Sequence, residues 1–328
     1  MERRWGVTSR PDLGFDVVVG GTWYADLIFT GLAEPPRLGA EIWASDFAMT
    51  PGGTFNVVAA MHRLGLRVGW STVFGKDAFS AFLLGEAKTE GLDDRLFRLA
   101  DRPRRMVTTS FSMPHERGFV SFEEWADDLD DVELIQRHDA RCYLASGGFP
   151  HPRPGDVRRA LAGRQALYVL DPQFTRATLD TPLVVETLEL ADILVPNESE
   201  ALQLTGAPTA EDALEALGRH TELVVIKRGA RGAIAMHRGE RSESPALACA
   251  AVDTTGAGDC FNAGLIAGLL AGNSLEEALR QANVCAGLST TAHGVTGAPD
   301  LEHVRRVLAR TEAGHQPTGV EESVRSRP

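Results

Sequence analysis

The chain has 328 residues, 43% hydrophobic and 24% charged, an ordinary profile for a soluble globular protein with one large domain or two smaller ones. A formal net charge of −12 argues against a general nucleic-acid binder or a protein of acidic membranes, both of which depend on basic surface, and leaves room for a small anion in a local pocket. The start, MERRWGVTSRPDLG, lacks the apolar core of a signal peptide, and the longest apolar run, Leu265 to Ala271, is far shorter than the about 20 residues of a membrane span. Four scattered cysteines (Cys142, Cys249, Cys260, Cys285) form no CxxC pair and read as small buried hydrophobes, so a cytoplasmic protein is expected.

In chain order, residues 1–13 are polar and unpatterned, an expected frayed tail. A β-rich run at 15–21 is followed by a helical pattern at 55–65, a strand at 67–75 and a helix at 79–91. Strands are expected again at 142–148, 166–171, 192–197 and 222–229, with helices at 155–163, 199–206 and 209–220, and 314–328 forms a second tail. This alternation implies a mostly parallel sheet covered by helices on both faces, with ligands bound at the carboxyl ends of its strands. Segments 32–50 and 105–126 break the rhythm and read as short alternating strands and a hairpin, a small β appendage on the α/β body.

The most informative stretch is 253-DTTGAGDCFNAG-264. It is neither a Walker A loop, because no GK[ST] follows its glycines, nor a GxGxxG fingerprint. Gly256 and Gly258 let the backbone turn sharply, and the N–H groups of the helix they open, at Gly256, Ala257, Gly258 and Asp259, favour an anion such as phosphate. Asp259 would repel a phosphate bound alone. It fits when a hydroxyl lies between the two, because the carboxylate then takes the hydroxyl proton while the N–H groups stabilise the transferring phosphoryl group. An Asp here is equally a common helix N-cap. Further along, Gly264, Gly268 and Gly272 recur every four residues and call for a close neighbour along one face.

DTTGAGDCFNAG resembles the C-terminal signature of the PfkB carbohydrate-kinase family, also called ribokinase-like, and the resemblance spans roughly residues 14–312. It implies a single ribokinase-like domain, a three-layer sandwich with a mostly parallel central sheet and a small β lid made by 32–50 and 105–126. By this resemblance Asp259 is the catalytic base and the 256–259 backbone the anion hole. The stretch 50-TPGGTFNVVAAMHRLG-65 is similar to the family's glycine signature, with Gly52, Gly53 and Asn56 toward the sugar, although the spacing to Asn56 is one residue shorter than in many members. Asp26 matches an Asp that grips sugar hydroxyls, and Tyr24 stands where ribokinases often carry Asn. Asn197 and Glu200 in 196-PNESEALQLTG-206 resemble the N-x-x-E motif that holds Mg²⁺ and phosphate, mostly through water; the same residues suit a helix start. In 225-VIKRGARGA-233, Lys227 reaches toward a phosphate while Gly229 and Gly232 shape the nucleotide loop, and Asn283 would line the adenine. Asp253, Thr255 and Gly294 resemble a monovalent-cation site, which implies K⁺ as an activator.

The expected protein is therefore an ATP- and Mg²⁺-dependent kinase acting on a hydroxymethyl group of a sugar or sugar-like substrate, without nucleic-acid or membrane partners, and a homodimer through the β lid. Tyr24, Trp23 and Phe55 keep open a nucleoside kinase of the same fold, and a non-catalytic sugar- or nucleotide-binding regulator is the alternative from another class. A phosphosugar kinase would need a basic cluster over the substrate, for which Arg37, Arg104, Arg105 and Arg117 are the lid candidates.

Overall fold

Runs of valine and isoleucine bounded by Gly or Asp build the strands of the body, and a computed structural model describes residues 14–112, 117–124, 130–173 and 176–312. The tails at 1–13 and 314–328, and positions 113–116 and 125–126 of the expected β appendage, lie outside the described residues, as does the side chain of Arg117.

The first third comprises β1 (Val17–Gly20), β2 (Trp23–Thr30), β3 (Asp46–Gly53), α1 (Thr54–Arg63), β4 (Val68–Phe74), α2 (Ala78–Glu90) and β5 (Phe97–Leu99). Next come β6 (Met106–Ser112), β7 (Arg117–Glu123), α3 (Asp131–Arg137), β8 (Cys142–Ser146), α4 (Pro154–Leu161), β9 (Leu167–Asp171) and α5 (Pro182–Leu188). The remainder is β10 (Ile193–Leu194), α6 (Glu198–Thr205), α7 (Ala210–Leu217), β11 (Leu223–Lys227), β12 (Ala233–His237), β13 (Glu240–Ser244), α8 (Ala257–Leu270), α9 (Leu275–Ser289) and α10 (Leu301–Glu312).

One sheet runs in the order β13-β12-β11-β10-β9-β8-β1-β4-β5, parallel from β11 to β5 and closed by an antiparallel hairpin at β12–β13. Its central strands are buried on both faces: Val17 and Val19 of β1 point into one apolar cluster with α1, α8 and α9, and Val18 points into the other with α3 to α7. Helices on both faces make a three-layer sandwich, as the alternation implied. Local signals set the helix ends. Asp77 accepts from the N–H groups of Phe79 and Ser80 at the start of α2, Gly91 closes that helix at φ 78°, and Ser274 with Glu277 forms a capping box on α9. A Cβ on Gly264 or Gly268 would come within 2.9 and 3.0 Å of the α9 backbone at Ala282 and Ala278. The glycine repeat of α8 thus serves helix–helix packing, except at Gly272, which ends that helix region at φ 86° with open space around it.

The second sheet has the order β3-β2-β6-β7; β2 is antiparallel to β3 and parallel to β6, and β6 is antiparallel to β7. Its composition differs from the sequence reading. The strand at Trp23–Thr30 lies before the segment expected to begin the appendage, 31–45 forms no strand, and only the end of 32–50 enters the sheet as β3. Sequence reading also missed β5, the β12–β13 hairpin, α3, α5 and α10, most of which are short elements stabilised by tertiary packing rather than by a long periodic pattern.

Candidate active site

The carboxyl ends of β1, β8, β9 and β11 open toward the N-terminus of α8, while β2 and β3 bring the small sheet over the same place. Gly256 caps α8 in the left-handed region (φ 75°), which glycine alone enters without strain, and the Ala257 N–H closes the turn by donating to the Thr254 carbonyl at 3.3 Å. A Cβ on Gly256 would sit 3.2–3.3 Å from the Asn56 amide, so α1 and α8 meet closely here.

Asp259 lies in the first turn of α8, half-buried, and its carboxylate accepts from Asn56 Nδ2 at 3.5 Å. Its side chain does not cap the helix. Burial, then the neighbouring charge of Asp171, pushes its pKa up to about 7, against the opposing pull of Lys227 and Asn56. Asp26 on β2 faces it across the cleft and is likewise raised to about 7, first by burial and then by the charges of Asp259 and Asp253. Gly52 has a direct structural role: a Cβ there would come within 2.1–2.5 Å of the Asp26 carboxylate oxygens, so its missing side chain is the space Asp26 occupies. Gly53 adopts φ 62° at the start of α1, where the Thr22 carbonyl and the Tyr24 ring approach closely.

Tyr24 is half-buried, with its hydroxyl donating to Glu123 of β7 at 3.1 Å, and so links two strands of the small sheet. Trp23 and Phe55 belong elsewhere: both are fully buried, Trp23 stacked on Phe74 and donating to the Val73 carbonyl, Phe55 edge-on to Trp70. They are core residues and form no aromatic floor for a ligand. Arg104 is also buried, its guanidinium donating to the Val73 carbonyl and Thr22 Oγ1, and Arg105 pairs with Glu124, so neither stands over the cleft as a free basic lid residue.

Asn197 and Glu200 make a complete capping box on α6: Asn197 Oδ1 accepts from Glu200 N–H at 2.9 Å and Glu200 Oε2 from Asn197 N–H at 2.8 Å. Burial raises the Glu200 pKa, and Lys227 pulls it back. Lys227 at the end of β11 pairs beside Asn197, and its ammonium is 3.2 Å from Asn262 Oδ1 and 3.5 Å from Asp171 Oδ1. Asn262 Nδ2 in turn donates to Asp171 Oδ2 at 2.7 Å. Asp171 and Asn262 were not singled out from the sequence; the available signal was an Asp ending an apolar strand of a parallel sheet, where such folds place ligands.

Gly229 opens a short 3-10 turn after Lys227 at φ 57°, and Gly232 lets the chain pass the end of β13, since a Cβ would lie 2.1 Å from the Ser244 carbonyl oxygen. Asn283, expected to line the adenine, is buried, and the two N–H groups of its Nδ2 are shared among the Ser244 carbonyl, Ser244 Oγ and the Leu279 carbonyl, which braces α9 against β13. Asp253, Thr255 and Gly294 do converge. Asp253 Oδ1 accepts from Thr255 N–H and Oγ1, and Oδ2 from Gly294 N–H at 3.0 Å. Beside Gly294 lies the buried Thr50 Oγ1, which has no hydrogen-bond partner. At the end of β8, Ser146 accepts from Gln173 Nε2 at 3.2 Å.

A four-stranded β cover over a helix mouth at the carboxyl ends of a parallel sheet defines a ribokinase-like protein, and the solved structures agree. The structure of Arabidopsis thaliana ribokinase complexed with ribose and ATP aligns with a TM-score of 0.73 at 24% identity, covering 90% of this chain and 98% of that one. The pfkB family carbohydrate kinase model matches residues 17–301, and the chain belongs to that family. Among its relatives, the ribokinase of Bacillus subtilis (strain 168) is 27% identical over 302 residues, 90% of this chain and 99% of that protein. The cytidine kinase of Thermococcus kodakarensis is 42% identical over 240 residues, 70% of this chain and 84% of its own length. Among the described residues no helix is long and apolar enough to cross a membrane.

Proposed function

We propose that this carbohydrate kinase transfers the γ-phosphoryl group of ATP to a hydroxymethyl group of a sugar or sugar-like substrate, with Asp259 as the general base. The observation that carries this reading is the position of Asp259: a carboxylate with a pKa of about 7, in the first turn of a glycine-opened helix, facing a second carboxylate on the covering sheet. Asp26 would hold substrate hydroxyls and Asn56 would keep the Asp259 carboxylate oriented. As the acceptor hydroxyl attacks, its proton passes to Asp259, its oxygen bonds to the γ-phosphorus, and the bond to the bridging oxygen breaks to release ADP. The N–H groups of residues 256–259 stabilise the charge in transit.

Glu200 and Asn197 suit Mg²⁺ held largely through water, because a carboxylate whose pKa is raised by burial gains from a cation and Mg²⁺ keeps much of its hydration. Bound there, Mg²⁺ supplies neutralisation of the ATP phosphate charge. Asp253, Thr255, Gly294 and the orphaned hydroxyl of Thr50 suit K⁺. Lys227, Gly229 and Gly232 would flank the nucleotide.

The outer face of the small sheet supports its reading as lid and dimer surface. Leu27, Met49 and Val120 form one cross-strand row and Phe29, Phe47 and Phe111 the next, with Met49, Phe47 and Val120 exposed by 42%, 53% and 65%. An apolar face of this kind needs a cover, and a second copy supplies an identical one. The protein is expected to elute as a dimer in size-exclusion chromatography with light scattering, and Phe47→Asp with Val120→Asp as a monomer; a monomeric native protein refutes the assignment.

A coupled ADP-release screen across free sugars, nucleosides and their phosphates, with and without K⁺, tests the function directly. Turnover of nucleosides alone would favour the nucleoside alternative, although the burial of Trp23 and Phe55 removes two of the three aromatic residues that supported it. No substrate-dependent ADP release would leave the non-catalytic regulator. Because Asp259 acts as a base only when ionised, kcat/KM should rise with pH and level off above about 7. A rate independent of pH from 5.5 to 8 contradicts a general base at this position.

A further inference from the structure

Lys227, Asp171 and Asn262 come from three separate elements and meet beneath the mouth of α8. Lys227 and Asp171 end β11 and β9, which flank β10 in the sheet, and Asn262 lies one turn into α8. The two charged side chains keep only 12% and 9% exposure. The Asn262 amide is committed in both directions, its nitrogen to Asp171 and its oxygen to Lys227, so it fixes the carboxylate and the ammonium relative to each other. A Cβ on Gly258 would lie 3.6 Å from the ammonium, which therefore rests against the first turn of α8, next to the residue that precedes Asp259 in the chain. Two of the three ammonium donors are engaged by Asn262 and Asp171, leaving one for a ligand at that mouth.

Stability alone is a weak reason for such an arrangement, because a buried ion pair seldom outperforms apolar packing of the same volume. A lysine is a compact charge on a flexible four-carbon stem, and without a bracket it would be free to turn toward the other carboxylates its charge reaches, Asp259 and Glu200. We propose that Asp171 and Asn262 are positioning residues that hold the Lys227 ammonium beside Gly258, where it meets the charge of the phosphoryl group in transit. This rests on the reading of the α8 mouth as the site of phosphoryl transfer. The same bracket sets the electrostatics around the base: Asp171 on β9 and Glu200 on α6 hold the Asp259 pKa up, Lys227 on β11 and Asn56 on α1 hold it down, and Asp26 faces it from β2.

The test uses the full-length protein and needs no acceptor. Affinity for Mg·ADP is measured with and without aluminium fluoride, a mimic of the phosphoryl group in flight, in the native protein, Lys227→Met and Asp171→Asn. Carboxyl ¹³C NMR follows the titration of Asp259, its signal assigned by loss in Asp259→Asn. Asp171→Asn should bind ADP within about threefold of native, which also reports that it folds, Lys227→Met should keep the native circular dichroism spectrum, and both should lose the extra affinity given by aluminium fluoride by roughly tenfold or more. The Asp259 midpoint should fall in Asp171→Asn and rise in Lys227→Met, each by on the order of half a pH unit. A purely structural role would leave the extra affinity given by aluminium fluoride at its native level in Asp171→Asn. Native-like extra affinity in Asp171→Asn, no extra affinity in the native protein, loss of ADP binding itself in Asp171→Asn, or midpoints moving in the same direction would each overturn the proposal. If Asp259→Asn keeps full phosphotransfer, the reading of the site fails whatever these variants do; if it is inert while Asp171→Asn behaves as native, only the positioning role fails.

Discussion

Asp259→Asn is expected to lose phosphotransfer by about 10²–10⁴-fold in kcat while binding nucleotide normally and becoming more stable at pH 8. The two effects have one cause. A carboxyl whose folded pKa, about 7, lies above its unfolded value of 3.8 binds more protons in the folded state than in the unfolded state between those pH values. Its contribution to stability therefore falls as pH rises through that window, and the full cost is present above about 7. Asn carries no such cost, so thermal unfolding at pH 8 should show the variant stabilised by about 1–2 kcal/mol, allowing for the solvent that reaches this half-buried residue. Only below about 3.8, where the carboxyl is protonated in both states, should the difference vanish. A variant that is active, or that is inactive and less stable at pH 8, would show that Asp259 is held there by its fold and not by its chemistry.

Gly52→Ala should raise KM for the phosphoryl acceptor by roughly 10–100-fold, the loss expected for a hydrogen bond to a charged group, with KM for ATP unchanged. Gly52 is not in the left-handed region, so the backbone accepts alanine, but the new Cβ would overlap the Asp26 carboxylate oxygens at 2.1–2.5 Å and force that side chain aside. Asp26→Ala should show the same KM, and the double variant should be no worse than either single one, because both remove one interaction. Acceptor kinetics on the three variants check this. A native KM in Gly52→Ala would place the substrate away from Asp26.

The signature around Asp259 was legible because its physics is local. Glycines at 256 and 258, a carboxylate in the first turn and an apolar helix behind them specify a glycine-opened helix mouth within a dozen residues, and the structure forms that turn on Gly256. The body of the sheet was legible for the same reason, as runs such as Val17–Gly20 and Leu223–Lys227 are apolar enough to be strands buried on both faces. Strand β2 was not, because Asp26 reads as a turn residue and the run WYADLIFT shows no clean alternation: Trp23 and Ala25 are buried in the core, Leu27 and Phe29 on the same side are half-buried, and Tyr24 and Asp26 lie on the other side. Trp23 and Phe55 look alike as substrate-stacking or core residues in sequence; only their packing against Phe74 and Trp70 decides between the two. Asn283 shows the same ambiguity for a polar residue, since a distant strand end, Ser244, takes up its donors.

By itself the sequence determined the class of fold, the family and the helix mouth with its carboxylate, because each follows from residues close together in the chain. Tertiary structure alone decided which groups surround that carboxylate. Asn56, Asp26, Asp171 and Lys227 arrive from four different elements. No spacing along the chain encodes these approaches, and burial, then the charge of Asp171, moves an ordinary aspartate to a pKa of about 7 against the opposing pull of Lys227 and Asn56.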